Sequence, residues 1–204
     1  MGFRSRVLEF PKIYNLLGVL QHQQNRSWLV ETVVQPKSGQ RILDVGCGIG
    51  RILDQLFDVE YVGIDINQKY VEAARKRHGR RGSFFSQDIT SGDLGQFGKF
   101  DTVLLLGVLH HLDDLEATQL ITSLTQVLKS DSRVITIDCS LVDGQNVISR
   151  LLARLDRGRH VRTPNRYRMI IETDLTVEAE FIRHDLLNVP YTHAIFRAGL
   201  KKTP

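Results

Sequence analysis

Short apolar runs rich in β-branched residues alternate with segments of helical periodicity from residue 40 onward. Two segments, residues 68–78 and 115–129, carry apolar side chains at helical spacing, and Asp113 and Asp114 are placed to cap the second helix. The apolar runs have the length of buried strands and each ends near an aspartate or a glycine. These predicted strands are residues 41–45, 60–65, 83–88, 100–106 and 133–138. Such alternation predicts a parallel sheet with right-handed crossovers and helices on both faces.

Two further strands are predicted at residues 178–184 and 192–198, near the carboxyl terminus. The link between them is too short for a parallel crossover, so this pair is predicted to be an antiparallel hairpin. Residues 1–38 are predicted to form one or two helices that cover one mouth of the sheet, ahead of a single domain at 39–204. The pattern therefore predicts an α/β fold with a doubly wound, seven-stranded, mostly parallel sheet whose last strand is antiparallel.

Composition narrows the class of protein. With 204 residues and 42% hydrophobic content, the chain supplies one sizeable core. Its start makes a poor signal peptide because Glu9, Pro11 and Lys12 interrupt the apolar run, so we expect a cytoplasmic protein without integral membrane association. The two cysteines, Cys47 and Cys139, have neither metal-ligand nor disulfide spacing, and no metal site is expected.

The turn after the first predicted strand reads LDVGCGIG and contains the glycines Gly46, Gly48 and Gly50. Ligands of open α/β sheets bind at the carboxyl ends of the strands. Glycines at alternate positions allow a tight turn and a close approach of the backbone to a ligand. A dinucleotide-binding GxGxxG would need a glycine where Arg51 stands, which disfavours a nicotinamide-dependent oxidoreductase.

Asp44 followed by GxGxG resembles the first motif of class I S-adenosylmethionine-dependent methyltransferases, and the resemblance extends over residues 40–140. It implies a Rossmann-like methyltransferase fold, S-adenosyl-L-methionine as cofactor, and Asp44 as the anchor of the cofactor's amino group. Asp65 ends the second predicted strand, where the family places an acidic residue on the ribose hydroxyls. Asp88 matches the contact to the adenine amino group. The full set of cofactor contacts implied by the resemblance is Asp44, Gly46, Cys47, Gly48, Gly50, Asp65, Ile66, Asp88, Ile89 and Leu106.

The segment after the fourth strand, LGVLHHL, resembles small-molecule methyltransferases of the ubiquinone and natural-product sugar type. Methyl transfer mainly needs alignment, and a base is required only when the nucleophile is a hydroxyl that holds its proton. The catalytic candidates are His110, His111 and Asp138. The resemblance favours His110 as the base, with Asp138 as its orienter or as a second base. Alternatively, the histidines cap the loop and line the cofactor pocket without catalysing anything.

Past the core, a basic run indicates either an anionic substrate or a solvated helix face. It comprises Arg150, Arg154, Arg157, Arg159, His160, Arg162, Arg166 and Arg168. Further candidates for the border of the substrate pocket, each also compatible with ordinary packing, are Tyr14, His22, Trp28, His184, Tyr191 and His193.

The leading hypothesis is an enzyme that methylates a small molecule, such as a sugar or another hydroxylated or anionic metabolite. An RNA substrate is the first alternative, disfavoured because the chain has no added binding domain and little aromatic interleaving in its basic run. The second alternative is a cofactor-binding accessory protein without catalytic activity. The absence of an NPPY-type tetrad after the fourth strand argues against methylation of amino groups on DNA bases or glutamine.

Overall fold

A computed structural model describes residues 27–90, 93–155 and 159–201 of the chain. The strands are β1 Arg41–Val45, β2 Glu60–Asp65, β3 Gly82–Ser86, β4 Phe100–Leu106, β5 Leu128–Cys139, β6 Leu175–Arg183 and β7 His193–Leu200. The helices are α1 Leu29–Val34, α2 Gln68–His78, α3 Asp114–Leu124, α4 Val147–Leu155 and α5 Pro164–Ile171, with single 3₁₀ turns between several elements.

All seven strands form one sheet in the order β3-β2-β1-β4-β5-β7-β6. Strands β1 to β5 pair in parallel, whereas β7 is antiparallel to both of its neighbours, β5 and β6. This confirms the predicted fold, including the terminal hairpin. The order reverses between β1 and β4, and in open α/β sheets this switch point is where ligands bind. Because β6 is antiparallel to β7, it points in the same direction as β1.

The predicted bounds differ from the structure around the junction of α3 and β5. The helix ends at Leu124 and the strand begins at Leu128, so the predictions of a helix to residue 129 and a strand from residue 133 were wrong. Leu128 pairs with Phe100 and Arg133 with Thr102, which leaves the residues between them as a bulge in β5. A bulge keeps strand pairing while it accommodates a polar, turn-like sequence.

Of the two residues predicted to cap α3, the structure confirms one. Asp113 caps α3 as predicted, because its side chain accepts from the Glu116 N–H while Glu116 binds back to the Asp113 N–H. Asp114 takes no part in this capping box and instead binds arginines. Strand β3 ends at Ser86, two residues before its predicted end, so Asp88 lies in the loop beyond the strand.

The core lies on both faces of the sheet. On one face, α3 buries Ala117, Leu120, Ile121 and Leu124, which form one stripe of the helix, together with α5 residues. On the other face, α1, α2 and the turn after β1 cover a second cluster. Burial on both faces explains why the central strands read as continuous apolar runs.

The amino-terminal prediction is only partly accessible, since Tyr14 and His22 lie outside the described residues. Helix α1 buries Val33 and Val34 completely against the sheet. The Trp28 ring, just before α1, contacts the ring of Phe181 edge-on at 5.7 Å and lies 4.1 Å from the Arg183 guanidinium. A helical cover over residues 1–38 stays a prediction. Within the three described ranges, no helix has the length and apolarity to span a bilayer.

Candidate functional site

The turn after β1 has the backbone conformation that its glycines predict. Gly46, Gly48 and Gly50 have φ of 74°, 55° and 70°, in the left-handed region that disfavours residues with a Cβ. Amide N–H groups of Gly46 and Cys47 donate to the Ile64 carbonyl at 2.7 and 3.0 Å, which fixes the turn to the end of β2. A Cβ on Gly48 would meet no atom within 4 Å, so the middle of the turn borders open space.

Asp44 is buried at the carboxyl end of β1 and has one unpaired oxygen. Its Oδ2 accepts from the Tyr61 hydroxyl at 2.5 Å, whereas Oδ1 has no hydrogen-bond partner among the described residues. Burial raises the pKa of Asp44 to about 7. The Tyr61 hydrogen bond opposes this rise, and the negative charge of Asp65 adds to it. A buried acceptor without a donor is costly, so a cationic N–H group next to Oδ1 would be stabilised.

Asp65 links the glycine turn to the start of α2. Its Oδ2 accepts from the Gly48 N–H and its Oδ1 from the Asn67 N–H, both at 2.8 Å. Burial raises the pKa of Asp65, and these two backbone hydrogen bonds oppose the rise. Each carboxylate oxygen retains a second lone pair, so the predicted contact with two ribose hydroxyls is compatible with this geometry.

The remaining cofactor candidates are distributed along the same edge of the sheet. Asp88 accepts from the Thr90 N–H at 3.0 Å and from its hydroxyl at 2.7 Å, which shapes the loop after β3. Cys47 is buried, Leu106 and Ile89 are half-buried, and the Ile66 side chain is 53% exposed. Since β1, β2, β3 and β4 are parallel neighbours, their carboxyl ends bring these residues to one edge. Their contacts with a cofactor stay predictions.

His110 and Asp138, two of the three catalytic candidates, form a buried pair. The Asp138 Oδ1 atom lies 2.7 Å from His110 Nδ1 and accepts from the His110 backbone N–H at 3.1 Å. Burial raises the pKa of Asp138, while the hydrogen bonds and charge of His110 lower it. A carboxylate facing Nδ1 places the ring proton there, so Nε2 is the acceptor atom of the neutral imidazole.

His111, the third catalytic candidate, differs from His110 in exposure. Its side chain is exposed, and its ring centroid lies 4.1 Å from that of His110. The 3₁₀ turn of Leu109–His111 directs the two side chains differently, and the pairing with Asp138 belongs to His110. The geometry therefore agrees with the preference for His110 over His111 that the resemblance implied.

The basic run contains one buried arginine, two that pair with acids nearer the surface, and several exposed residues. Arg162 is buried and binds Asp114 together with three backbone carbonyls. Arg166 also binds Asp114, and Arg168 binds Glu172 and Glu180. These three arginines thus bind protein acceptors, and whether the run also meets an anionic substrate stays a prediction. Arg150, Arg154 and Arg159 are exposed, and Arg157 lies outside the described residues.

The hairpin candidates differ in burial: Tyr191 is buried, His193 is half-buried and His184 is exposed. His184 Nδ1 lies 2.9 Å from the Thr192 hydroxyl, and the ring of the buried Tyr191 lies 5.2 Å from that of His193. One residue important to the site, Tyr61, was missed, because it contacts an acid that is distant in sequence, Asp44, and no local motif marks it. Arg162 was named only as a member of the basic run, and its contact with Asp114 was not predicted.

Replacing Gly46 by alanine tests how tightly the turn is packed. A Cβ there would lie 2.8 Å from Val108 Cγ2, whereas a Cβ on Gly39, which has a similar φ of 75°, would meet no atom within 4 Å. We expect Gly46→Ala to lower the free energy of unfolding by about 1 to 2 kcal/mol more than Gly39→Ala, because only the former adds overpacking to backbone strain. Urea unfolding of both variants measures the difference, and equal losses would contradict the packing argument.

Comparison with known proteins finds a matching family over part of the chain. Residues 43–134 match the family described as a methyltransferase domain. The chain is 34% identical over 113 residues to an O-methyltransferase of Penicillium expansum, a match covering 52% of the chain and 40% of that relative. It is 32% identical over 134 residues to the magnesium-protoporphyrin O-methyltransferase of Synechocystis, covering 61% and 54%. The chain thus spans about half the length of these curated relatives.

Solved structures agree on the fold. Magnesium protoporphyrin IX methyltransferase from Synechocystis, with bound S-adenosylhomocysteine, has a TM-score of 0.68 at 24% identity and covers 95% of this chain and 89% of that one. Mitomycin 7-O-methyltransferase has a TM-score of 0.74 at 18% identity, covering 96% and 59%. Together, the sheet order and the glycine turn define a Rossmann-like methyltransferase fold. The chain is thus similar to methyltransferases, through the domain matched at residues 43–134 and through the fold.

Proposed function

We propose that the protein transfers a methyl group from S-adenosyl-L-methionine to a hydroxyl oxygen of a small molecule. The observation that carries the proposal is the buried His110–Asp138 pair, with 2.7 Å between Nδ1 and Oδ1, at the same sheet edge as the glycine turn. A base of this kind is needed when the acceptor keeps its proton at neutral pH, as a hydroxyl does. The two curated relatives named above are O-methyltransferases, which supports oxygen as the acceptor atom.

The residues of the glycine turn fit the cofactor. Asp44 Oδ1 is a buried acceptor without a partner in the described part of the chain, suited to the ammonium of the cofactor's methionine. Open space at Gly48 leaves room for a ligand against the backbone. Asp65 retains lone pairs for the ribose hydroxyls. When bound, the cofactor supplies a methyl group on a positively charged sulfur, which leaves as a neutral thioether and needs no acid.

His110 is proposed to act as the general base. Its Nε2 accepts the proton of the acceptor hydroxyl while the oxygen–methyl bond forms, so that the oxygen does not accumulate positive charge. Asp138 Oδ1, 2.7 Å from Nδ1, accepts the hydrogen bond of the Nδ1 proton and stabilises the resulting imidazolium. The proton is released to water after the methylated product leaves, which restores the neutral ring.

The contacts of the basic run bear on the size and charge of the acceptor. Arg162, Arg166 and Arg168 bind protein groups, so they do not form the phosphate-binding surface that an RNA substrate would require. A small hydroxylated metabolite, such as a glycoside, is therefore favoured over RNA. An anionic group on that metabolite would have Arg150 and Arg154, both exposed on α4, as candidate partners.

A panel of acceptors tests the function. Purified protein with labelled S-adenosylmethionine is incubated with glycosides, phenols, phosphorylated metabolites, amines and tRNA, and S-adenosylhomocysteine release and product mass are measured. We expect turnover with one hydroxylated class and a product methylated on oxygen. Turnover confined to tRNA or to amines would contradict the proposal. Tight cofactor binding without turnover on any acceptor would favour a non-catalytic accessory role.

A further inference from the structure

Arg162 is a buried arginine whose side chain binds the loop that carries His110. Its Nη1 donates to the Leu109 carbonyl at 2.7 Å and to the His160 carbonyl at 2.9 Å, and its Nη2 donates to the Leu112 carbonyl at 2.7 Å. Its Nε donates to Asp114 Oδ1 at 2.8 Å. Four of the five N–H donors of a guanidinium are accounted for by these bonds.

The bonded carbonyls lie on both sides of the catalytic candidate. Leu109 and Leu112 bracket His110 and His111 in the single 3₁₀ turn after β4. Besides the two bonds from Arg162, the His160 N–H donates to the His110 carbonyl at 3.1 Å. A single helical turn leaves its last carbonyls without intrahelical partners, and here the chain from residue 160 to 162 provides the donors.

The opposite side of the same turn is held by Asp138. The Asp138 Oδ1 atom accepts from the backbone N–H of His110 and contacts its Nδ1. The imidazole is therefore fixed only if the loop backbone stays in register with β5. The guanidinium fork suits this task because it binds carbonyls at defined angles, whereas a lysine ammonium binds as a point charge.

We propose that Arg162 is a positioning residue, which holds the backbone of residues 109–112 so that His110 Nδ1 stays on Asp138 and Nε2 faces the acceptor. The inference rests on the proposed base role of His110. It gives the arginine an internal function and leaves recognition of the substrate to other residues.

The charged and titratable groups around His110 determine how its variants depend on pH. In the described part of the chain they include Asp138, the His111 ring, the Arg162 guanidinium, His160, Tyr167 beside Arg162, and Asp114 beyond it. The Arg162 charge lowers the pKa of Asp138, opposing the effect of burial. Removal of the Arg162 charge would therefore raise the pKa of Asp138 further.

Two substitutions separate geometry from charge. Arg162→Lys keeps the charge but loses the fork, and we expect kcat to fall about 10- to 100-fold, with KM for the cofactor changing less than about threefold. Arg162→Gln is expected to lower kcat at least as much, because it removes both the fork and the charge that lowers the pKa of Asp138. Arg166→Gln is the matched control, since Arg166 is exposed and shares Asp114 but does not bind the loop, and it should leave both readouts unchanged.

A spectroscopic readout makes the test independent of turnover. In ¹⁵N spectra of histidine-labelled protein, His110 of the wild type should show the Nδ1–H tautomer, and Arg162→Lys should shift it toward a mixture of tautomers. A perturbed His110 signal in a protein that methylates nothing would support the positioning role and reject the proposed function. Wild-type kcat together with an unchanged His110 signal in folded Arg162→Lys would overturn the inference.

A second variant covers the case in which Arg162→Lys does not fold. Asp114→Asn weakens the bond that orients Arg162 Nε, and the Asp114 side chain is 48% exposed, so folding should be preserved. We expect a smaller loss of kcat, about threefold to tenfold, with the same direction of change in the His110 signal. No change in either readout would also overturn the inference.

Discussion

Replacing His110 by alanine is expected to lower kcat for methylation of a hydroxyl acceptor by about 10²- to 10⁴-fold, the usual contribution of a positioned general base. The reason is that the substitution removes the imidazole that, in the proposal, takes the hydroxyl proton. Steady-state rates with saturating cofactor measure the effect. Affinity for S-adenosylhomocysteine, measured by calorimetry, should change little and serves as the control for folding.

Two companion variants make this result specific. His111→Ala should cost at least about tenfold less than His110→Ala, because Asp138 orients His110 and not its exposed neighbour. Asp138→Asn keeps the side chain's size but no longer favours a proton on Nδ1, so it should approach the loss seen for His110→Ala. Equal effects of the two histidine variants would show that the pair with Asp138 does not define the base.

Asp44→Asn is expected to lower the affinity for S-adenosylhomocysteine about 10- to 100-fold at about pH 8, since the ammonium would lose a charged acceptor. In the wild type, burial raises the pKa of Asp44 to about 7, so affinity should fall as the pH drops through that value and the carboxylate takes up a proton. The variant should lack this dependence. Calorimetry across the pH range tests both expectations, and a pH-dependent affinity that persists in Asp44→Asn would contradict the assignment.

In the absence of ligand, Asp44→Asn is expected to increase the free energy of unfolding. A carboxyl group whose folded pKa lies above its unfolded value gives stability at low pH that is lost as the pH rises, here between 3.8 and about 7. Asp44→Asn should therefore raise the free energy of unfolding by about 2 to 3 kcal/mol more at pH 8 than at pH 5. Tyr61→Phe is the matched variant. It removes the hydrogen bond that lowers the pKa of Asp44. The affinity of this variant for S-adenosylhomocysteine should therefore begin to fall at a higher pH than that of the wild type.

Those features of the fold that depend on local periodicity could be predicted from the sequence. Strands β1, β2 and β4 and helix α2 have the predicted bounds, because their apolar patterns end at clear polar or glycine positions. The junction of α3 and β5 could not be predicted, since Val127 and Leu128 continue the helical spacing although Leu128 pairs with Phe100. Tertiary pairing overrode local propensity there.

Some residues of the candidate site could likewise be predicted from the sequence, and others could not. Asp44, Asp65 and the glycine turn are found from spacing, because the carboxyl ends of successive parallel strands must converge. The roles of the basic run were not predictable from the sequence. Whether an arginine faces solvent or binds carbonyls 50 residues away, as Arg162 does with Leu112, depends on packing that composition does not record. The resemblance already favoured His110 over His111, and the three-dimensional structure adds the contact with Asp138 that distinguishes them.

Trp28, the only tryptophan in the sequence, provides an optical probe at the carboxyl edge of the sheet. Its ring lies 4.1 Å from the Arg183 guanidinium at the end of β6, and β6 runs in the same direction as β1, so the indole sits near the edge of the sheet that carries the glycine turn. Its emission depends on the cation beside it. Intrinsic fluorescence can therefore follow ligand-induced changes at this edge in the unlabelled protein, with Arg183→Gln to calibrate the quenching.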